Sequence, residues 1–247
     1  MFVASRKRTS RPRLLPFGRV GSRAAECCCH TGVMKEEQLG SSKIGSAAGG
    51  PPGVRQVSDG DADPVAELFA LAFYDDPTWS WAFPDSEQRM DQHRLLWGLF
   101  LHSAIPYGSV WMTDDGGAAS LWIPPGELEL SEADETRIEP LLRDLIGSHA
   151  DEVLALFDRF DANHPRHVPH FYLSLLGTHP DHRGQGKGMG LLAENLARID
   201  ELRLPAYLES SNRANDRRYE RLGFVEIGEF SAPGDGPTVG CMWRDPR

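Results

Sequence analysis

A glycine-rich segment between two predicted elements holds the residues best suited to bind a phosphate. It reads R-x-x-G-x-G from Arg183 to Gly188 and continues into an apolar run typical of an amphipathic helix. Glycine lets the backbone approach a ligand closely and adopt positive φ angles. Because the first amides of a helix are unpaired and carry the positive end of its dipole, such a segment binds phosphate. Arg183 and Lys187 add positive charge around it.

Two nucleotide-binding patterns fail on the same residues. A P-loop, G-x-x-x-x-G-K-[ST], would need a glycine where Asp181 stands and a Ser or Thr where Gly188 stands. A dinucleotide-binding pattern, G-x-G-x-x-G, would need its last glycine at Met189 or at Leu191, depending on which glycine begins it. The segment therefore predicts a phosphate at the start of a helix without either of these patterns.

A second motif lies further along the chain, between Asn212 and Phe224. It reads N-x₆-Y-x₃-G-F, with Tyr219 as the tyrosine. Together the two motifs resemble the GNAT superfamily of acyl-CoA-dependent N-acetyltransferases. Within that family, Leu208-Glu209, the end of the second motif and Gly240-Cys241-Met242 look like the puromycin N-acetyltransferase branch.

The resemblance implies acetyl-CoA as co-substrate and direct transfer of its acetyl group to a primary amine of a small molecule in a ternary complex. It implies that Tyr219 is the general acid, since a phenol with a pKa of about 10 can protonate the departing thiolate. The alternative is a core tyrosine that packs under the turn at Gly223. The residues that the resemblance assigns to acetyl-CoA are Leu176, Gly177, Thr178, Arg183, Gly184, Gln185, Gly186, Lys187, Gly188, Asn212 and Asn215.

The general base has two candidates. His170 begins a predicted strand, and an imidazole with a pKa near 6.5 could accept a proton at neutral pH. Residues 170, 172, 174 and 176 alternate along that strand, so we expect them to share one face of the sheet. Glu209 ends the next strand and could act through a water molecule. The alternatives are a hydrogen-bonded histidine at the start of a strand for His170 and a helix-capping or salt-bridging glutamate for Glu209.

The sequence gives weaker indications of which residues bind the acceptor amine and whether any residues bind a metal. Asp75, Asp76, Trp79 and Trp81 could give an amine charge and aromatic surface, or they could form a solvated loop whose aromatic rings pack into the core. His164, His167 and His170 are spaced at intervals of three, but Pro165 and Pro169 oppose the helix that would align them as ligands. We expect no metal.

The elements that position these motifs follow from hydrophobic periodicity and turn signals. Strands are predicted at 54–57, 109–113, 118–123, 171–176, 206–209, 224–230 and 239–243, and helices at 89–103, 132–146, 151–163, 187–202 and 213–222. A further helix should begin with Asp63 as N-cap and Pro64 at its first position, and 76–84 is predicted to be a loop. The mixed order predicts an α/β (α+β) fold. With the resemblance, this becomes one GNAT-like domain over 54–247, a central mixed, mostly antiparallel, twisted sheet flanked by helices.

The charge and the apolar content of the sequence argue against a nucleic-acid-binding protein and against a membrane-spanning one. The net charge is −10, and residues 1–33 carry seven basic groups against one acid, which leaves −16 on residues 34–247. An acidic body argues against nucleic-acid binding and favours a cationic small substrate, although solubility alone also explains it. No window has the roughly 18 apolar residues of a membrane span.

The first residues and the cysteines predict little structure. Residues 1–53 are rich in Arg, Gly, Ser and Pro and are predicted to be a disordered tail, with a transit peptide or an early start before Met34 as alternatives. Cys27-Cys28-Cys29-His30 has neither disulfide nor zinc spacing, and Cys241 is distant. We therefore expect no disulfide framework and a cytoplasmic location.

Three functions remain open at this stage. The first is a small-molecule amine N-acetyltransferase, acting either as a monomer or as a homodimer. The second acetylates the N-terminus or a lysine of a protein or peptide. The third, from a different class, is a non-catalytic acyl-CoA-binding sensor, against which the intact Tyr219 and the complete loop argue.

Overall fold

The computed structural model describes residues 53–247 of the chain. The predicted tail, the Cys27–Cys29 run and Met34 lie outside the described residues, except for Gly53 at the end of that tail. The strands are β1 (Val54–Gln56), β2 (Val110–Thr113), β3 (Ala118–Ile123), β4 (Phe171–Thr178), β5 (Ala206–Ser210), β6 (Val225–Ser231) and β7 (Thr238–Arg244). The helices are α1 (Ala62–Phe73), α2 (Pro77–Ala82), α3 (Arg89–Ala104), α4 (Glu132–Ile146), α5 (Ala150–Asn163), α6 (Lys187–Glu201) and α7 (Asp216–Arg221).

The strands form one seven-stranded sheet in the order β1-β2-β3-β4-β5-β7-β6. Every neighbouring pair is antiparallel except β4 and β5, which are parallel and are joined by the crossover helix α6. A tight hairpin reverses the chain once and therefore joins antiparallel strands. Parallel neighbours need a longer crossover connection, because the chain must return to the end at which the first strand began. The prediction of a mixed, mostly antiparallel sheet is confirmed.

Helices cover both faces of the sheet. On one face, α1 and α3 pack Phe69 and Trp97 over Leu121 and Leu175, and α4 and α5 extend this cluster. On the other face, α6 buries Leu191, Leu192, Leu196 and Ile199, as its periodicity predicts, against a second cluster from the sheet. We call these the α1/α3 face and the α6 face. The prediction of a single domain with flanking helices is confirmed.

Three local predictions were wrong. The segment 76–84 is not a loop, because Asp76 caps the short helix α2 and Pro77 occupies its first position. Helix α1 has Asp61 rather than Asp63 at its N-cap, since a 3₁₀ turn at Asp59–Asp61 precedes it. The predicted helix at 213–222 divides into a 3₁₀ turn, Arg213–Asn215, and the short α7.

Within residues 53–247, none of the helices combines the length and the apolar character that crossing a membrane requires.

Candidate active site

The central opening of the sheet lies between β4 and β5. These strands pair only from Phe171 with Ala206 to Leu173 with Leu208. Beyond that point β4 continues along β3 and β5 continues along β7, so none of the described strands pairs with their facing edges. Backbone N–H and C=O groups on such an edge are available to form hydrogen bonds with a ligand or with water. Leu176, Gly177 and Thr178, which the sequence assigns to the acetyl-CoA arm, lie on this edge of β4.

A β-bulge in β4 marks the opening. Leu121 of β3 faces Leu175, but the next residue, Trp122, faces Leu173, which leaves Ser174 as the extra residue. A bulge bends its strand and changes the face that the following side chains occupy. Leu173 accordingly packs on the α6 face and Leu175 on the α1/α3 face. The expectation that residues 170, 172, 174 and 176 share one face was therefore wrong, since Tyr172 and Leu176 pack on opposite faces.

The glycine-rich segment forms the turn between β4 and α6. Gly184 and Gly186 have φ angles of +78° and +77°, and a Cβ atom built on either would meet nothing within 4 Å. Gly186 is the N-cap of α6 and supplies no side-chain cap, so the first helical amides have no side-chain acceptor. Gly188 packs tightly against Thr178 at the end of β4. The segment thus combines open space with unpaired donors, which is what a pyrophosphate requires.

The polar side chains of this turn are mostly engaged inside the protein. Lys187 forms an ion pair with Asp115, in the turn between β2 and β3, and its Nζ lies 2.7 Å from Nδ1 of His182. Arg183 donates a 3.1 Å hydrogen bond to the Ala72 carbonyl oxygen. Gln185 likewise donates to a backbone oxygen of the turn. Backbone amides, rather than free cations, are therefore the main donors to a phosphate here.

Tyr219 lies in α7 beside the end of β5. Its ring packs edge-on against Phe224, with centroids 6.2 Å apart, at the margin of the cluster on the α6 face. Burial, together with the nearby carboxylates of Asp76 and Asp216, raises the pKa of Tyr219 above its usual value. Within the described part of the chain the hydroxyl forms no hydrogen bond. Tyr219 is therefore a phenol that keeps its proton at neutral pH and has a free hydroxyl.

The two asparagines of the second motif hold the connection between β5 and α7. Asn212 caps the 3₁₀ turn by accepting a 3.1 Å hydrogen bond from the Ala214 amide. Asn215 accepts a 2.9 Å hydrogen bond from Arg218 through its side-chain oxygen. Both residues thus have local structural partners, and a contact with CoA stays a prediction for each.

His170 stands at the closed end of the β4–β5 pair, one residue before the first paired position. It is 8% exposed, its Nδ1 lies 2.7 Å from the Val168 carbonyl oxygen, and its Nε2 lies 3.1 Å from Nε2 of His164. Burial and the proximity of His164 lower the pKa of His170. Both ring nitrogens thus already have partners within the described residues.

Glu209 stands on the first residue of β5 beyond the paired segment. Its side chain is 3% exposed, and within the described residues neither carboxylate oxygen forms a hydrogen bond of standard length, although the hydroxyls of Tyr172 and Tyr207 lie close to it. Nδ1 of His164 is 3.7 Å away. Leu208 packs on the α6 face, so Glu209 points to the opposite, α1/α3 face.

A second carboxylate, Glu129, was missed by the sequence analysis. It comes from the connection between β3 and α4, and its Oε1 accepts a 2.5 Å hydrogen bond from the hydroxyl of Ser174 at the bulge. Desolvation and the charge of Glu209 raise the pKa of Glu129 to about 7, although the Ser174 hydrogen bond opposes this rise. The alternating Glu and Leu residues after Pro125 carry no motif that would have identified it.

The suggested acceptor surface at 75–81 belongs largely to the fold. Asp76 is buried, caps α2 through the Thr78 and Trp79 amides, and accepts a 2.9 Å hydrogen bond from Ser211. Trp79 packs edge-on against Trp97 in the core. Asp75 is exposed, and Trp81 packs against His149. The aromatic rings therefore pack inward.

No metal centre is found in the described part of the chain. Among residues 53–247, no group of three or more His, Cys, Asp or Glu side chains is placed to hold an ion. His164 and His170 are close neighbours, but His167 does not join them in a ligand set.

Comparison with known proteins identifies the fold. The model of the acetyltransferase (GNAT) family matches residues 70–224. A crystal structure of histone acetyltransferase HPA2 and related acetyltransferase from Corynebacterium glutamicum is 24% identical, with a TM-score of 0.60, and the match covers 79% of this chain and 97% of that one.

Two further structures share this fold. Arylalkylamine N-acetyltransferase 2 from Aedes aegypti is 14% identical, with a TM-score of 0.56 and coverage of 78% of this chain and 98% of that one. An agmatine N-acetyltransferase is 18% identical, with a TM-score of 0.51 and the same two coverages.

Proposed function

Because the chain belongs to the GNAT family of acetyltransferases and is an acetyl-CoA-dependent N-acetyltransferase, we propose that it acetylates a primary amine of a small molecule by direct transfer in a ternary complex. The observation that carries this proposal is the opening between β4 and β5. There a free strand edge and a glycine-rich helix start lie on one side, and a buried carboxylate lies on the other.

The residues at the opening fit acetyl-CoA. The open space beside Gly184 and Gly186, together with the uncapped start of α6, would accommodate the pyrophosphate. The free edge of β4 at residues 176–178 would bind the pantetheine arm through its backbone groups. Arg183, Gln185, Lys187, Asn212 and Asn215 stay predicted contacts of acetyl-CoA, and each now has a partner within the protein that it would exchange or share.

Different side chains of this protein would act as general acid and as general base. We assign Tyr219 as the acid, since its raised pKa keeps the hydroxyl protonated at neutral pH and no described residue forms a hydrogen bond with it. Of the two residues predicted as base, we place Glu209 rather than His170 beside the amine. Glu209 lies beyond the paired segment, and among residues 53–247 its oxygens form no hydrogen bond of standard length, whereas the ring nitrogens of His170 are engaged at the closed end.

The choice of a small amine rests on the buried side chain of Glu209 and on the net negative charge of residues 34–247. The resemblance to the puromycin N-acetyltransferase branch suggests one acceptor to test, and the arylalkylamine and agmatine enzymes of this fold suggest others. A cytoplasmic location and a homodimer stay predictions.

A thiol-release assay with acetyl-CoA tests the proposal over a panel of amines. The panel contains puromycin, agmatine, arylalkylamines, polyamines and short peptides. Release with at least one small amine, above that with peptides, is the expected result. Preferred turnover of peptides would favour the protein acetyltransferase, acetyl-CoA binding without turnover would favour the sensor, and no binding at millimolar concentration would refute the proposal.

A further inference from the structure

A cluster of polar side chains lines the α1/α3 face of the opening. Glu129 reaches it from the connection after β3, Ser174 from the bulge in β4, and Glu209 from β5. Tyr172 and Tyr207, with ring centroids 5.9 Å apart, lie next to the carboxylates, and His164 packs edge-on against both rings. Burial and the nearby carboxylates raise the pKa of both tyrosines, so the phenols stay neutral. The cluster therefore contains two acids and no Lys or Arg.

The cluster has more acceptors than its own donors satisfy. Within residues 53–247, both Glu209 oxygens and the Tyr207 hydroxyl are buried and form no hydrogen bond of standard length, although the hydroxyls of Tyr172 and Tyr207 lie close to Glu209. Buried polar groups without partners are costly, and each one calls for an explanation such as a ligand or a water molecule. An ammonium group has three N–H donors and a positive charge, which match this set of oxygens.

We propose that Glu129 and Glu209 form the acceptor site, that they bind a primary amine as its ammonium ion, and that Glu129 removes the proton that activates it. The inference rests on the proposed function and names the chemical class of its substrate. It assigns Glu209, whose side chain is 3% exposed, to holding the positive charge. Ser174 orients Glu129 through its 2.5 Å hydrogen bond and is a positioning residue.

The proton balance of the reaction fits this assignment. The ammonium ion loses one proton to the Glu129 carboxylate, and the neutral amine attacks the thioester carbon. A C–N bond forms, the C–S bond breaks, and the departing thiolate takes the proton of Tyr219. The nitrogen loses its second proton as the amide forms, and this proton replaces that of Tyr219 through solvent. The products are an N-acetyl amine, CoA thiol and one proton, which Glu129 returns to solvent.

The pH dependence follows from the charge state of Glu129. Its titratable neighbours are Tyr172 on β4, Glu209 on β5 and His164 before β4, and Tyr207 and Cys241 lie around Glu209. Since Glu129 has a pKa of about 7 and must be ionised to accept a proton, kcat/KM should rise with pH through about 7. It should fall again where the amine itself loses its charge.

The test compares Glu129→Gln, Glu209→Gln and the wild type on two acceptors. One acceptor is the most active basic amine of the panel, and the other is its β,β-difluoro analogue, whose amine is largely neutral at the assay pH. Glu201→Gln, an exposed glutamate at the end of α6, is the matched control. Acetyl-CoA affinity is measured for each variant by calorimetry, which separates failure of this site from failure of the proposed function.

We expect Glu129→Gln to lower kcat/KM for the basic amine by about 10² or more and to lower it much less for the fluorinated amine. The rise of kcat/KM with pH near 7 should also disappear in this variant. Glu209→Gln should raise KM for the basic amine more than it lowers kcat. Acetyl-CoA affinity should stay within about twofold throughout. Equal losses on both amines, or wild-type activity of Glu129→Gln, would overturn the inference while leaving the acetyltransferase itself established.

Discussion

The hydroxyl of Ser174 donates a 2.5 Å hydrogen bond to the carboxylate of Glu129, and this contact joins the bulge of β4 to the connection between β3 and α4. Ser174 is available for this contact because it is the unpaired residue of the bulge. The contact brings a carboxylate from a distant part of the sequence to the point where β4 and β5 separate. The first two predictions concern this pair.

Ser174→Ala should move the acidic limb of the kcat/KM profile to higher pH. The hydrogen bond favours the ionised form of Glu129 and lowers its pKa, so its removal should raise that pKa above about 7. A pH series of initial rates measures the shift. Ser148→Ala, at an exposed position, is the control and should reproduce the wild-type profile. A limb that moves to lower pH would contradict the assignment.

Glu129→Gln should change stability in a pH-dependent way. The folded-state pKa of Glu129, about 7, lies above its ordinary value of 4.5, so ionisation of Glu129 destabilises the folded protein progressively as pH rises between these values. Above about pH 7 the variant should exceed the wild type by up to a few kcal/mol, and below pH 4 this advantage should vanish. Urea unfolding at several pH values measures it, and an advantage confined to low pH would refute the argument.

Gly186→Ala should cost more free energy of acetyl-CoA binding than free energy of folding. Gly186 has a φ of +77°, which costs alanine roughly 1 kcal/mol, and its Cβ would enter the open space assigned to the pyrophosphate. Gly190→Ala is the matched control, because Gly190 lies inside α6 with open space around it, where alanine favours the helix. Calorimetric titration should show weaker binding for Gly186→Ala only, and equal affinities would remove this turn from the site.

Tyr219→Phe should lower turnover while acetyl-CoA affinity stays nearly unchanged. The substitution removes only a hydroxyl that has no hydrogen-bond partner in the described structure, so folding should be little affected. Loss of a general acid typically costs about 10²–10⁴ in rate. Steady-state kinetics beside a calorimetric Kd separates the two effects. Unaltered turnover would leave Tyr219 with a packing role alone.

The local motifs could be predicted from the sequence because their signals are local. The Arg183–Gly188 segment, the hairpin at β2 and β3, and the buried side of α6 follow from glycine placement and periodicity. Helix α2 was missed because six residues are too short to show a period, although Asp76-Pro77 is a typical helix start.

The arrangement around Ser174 could not be predicted in the same way. A bulge leaves no mark in the alternation of residue types, so the faces of Tyr172 and Leu176 were assigned wrongly. Glu129 enters the site only through tertiary contacts, with residues on β4 and β5 that are distant in the chain. Its raised pKa likewise depends on desolvation and on Glu209, and neither cause is visible in its sequence neighbours.

The most direct test of the central claim is mass spectrometry of a reaction that contains acetyl-CoA labelled with ¹³C in its acetyl group and the most active small amine. The account predicts that the labelled acetyl group appears on the amine nitrogen, in an amount equal to the CoA thiol released. Thiol release without an acetylated amine, or a labelled amine formed equally fast without the protein, would contradict it.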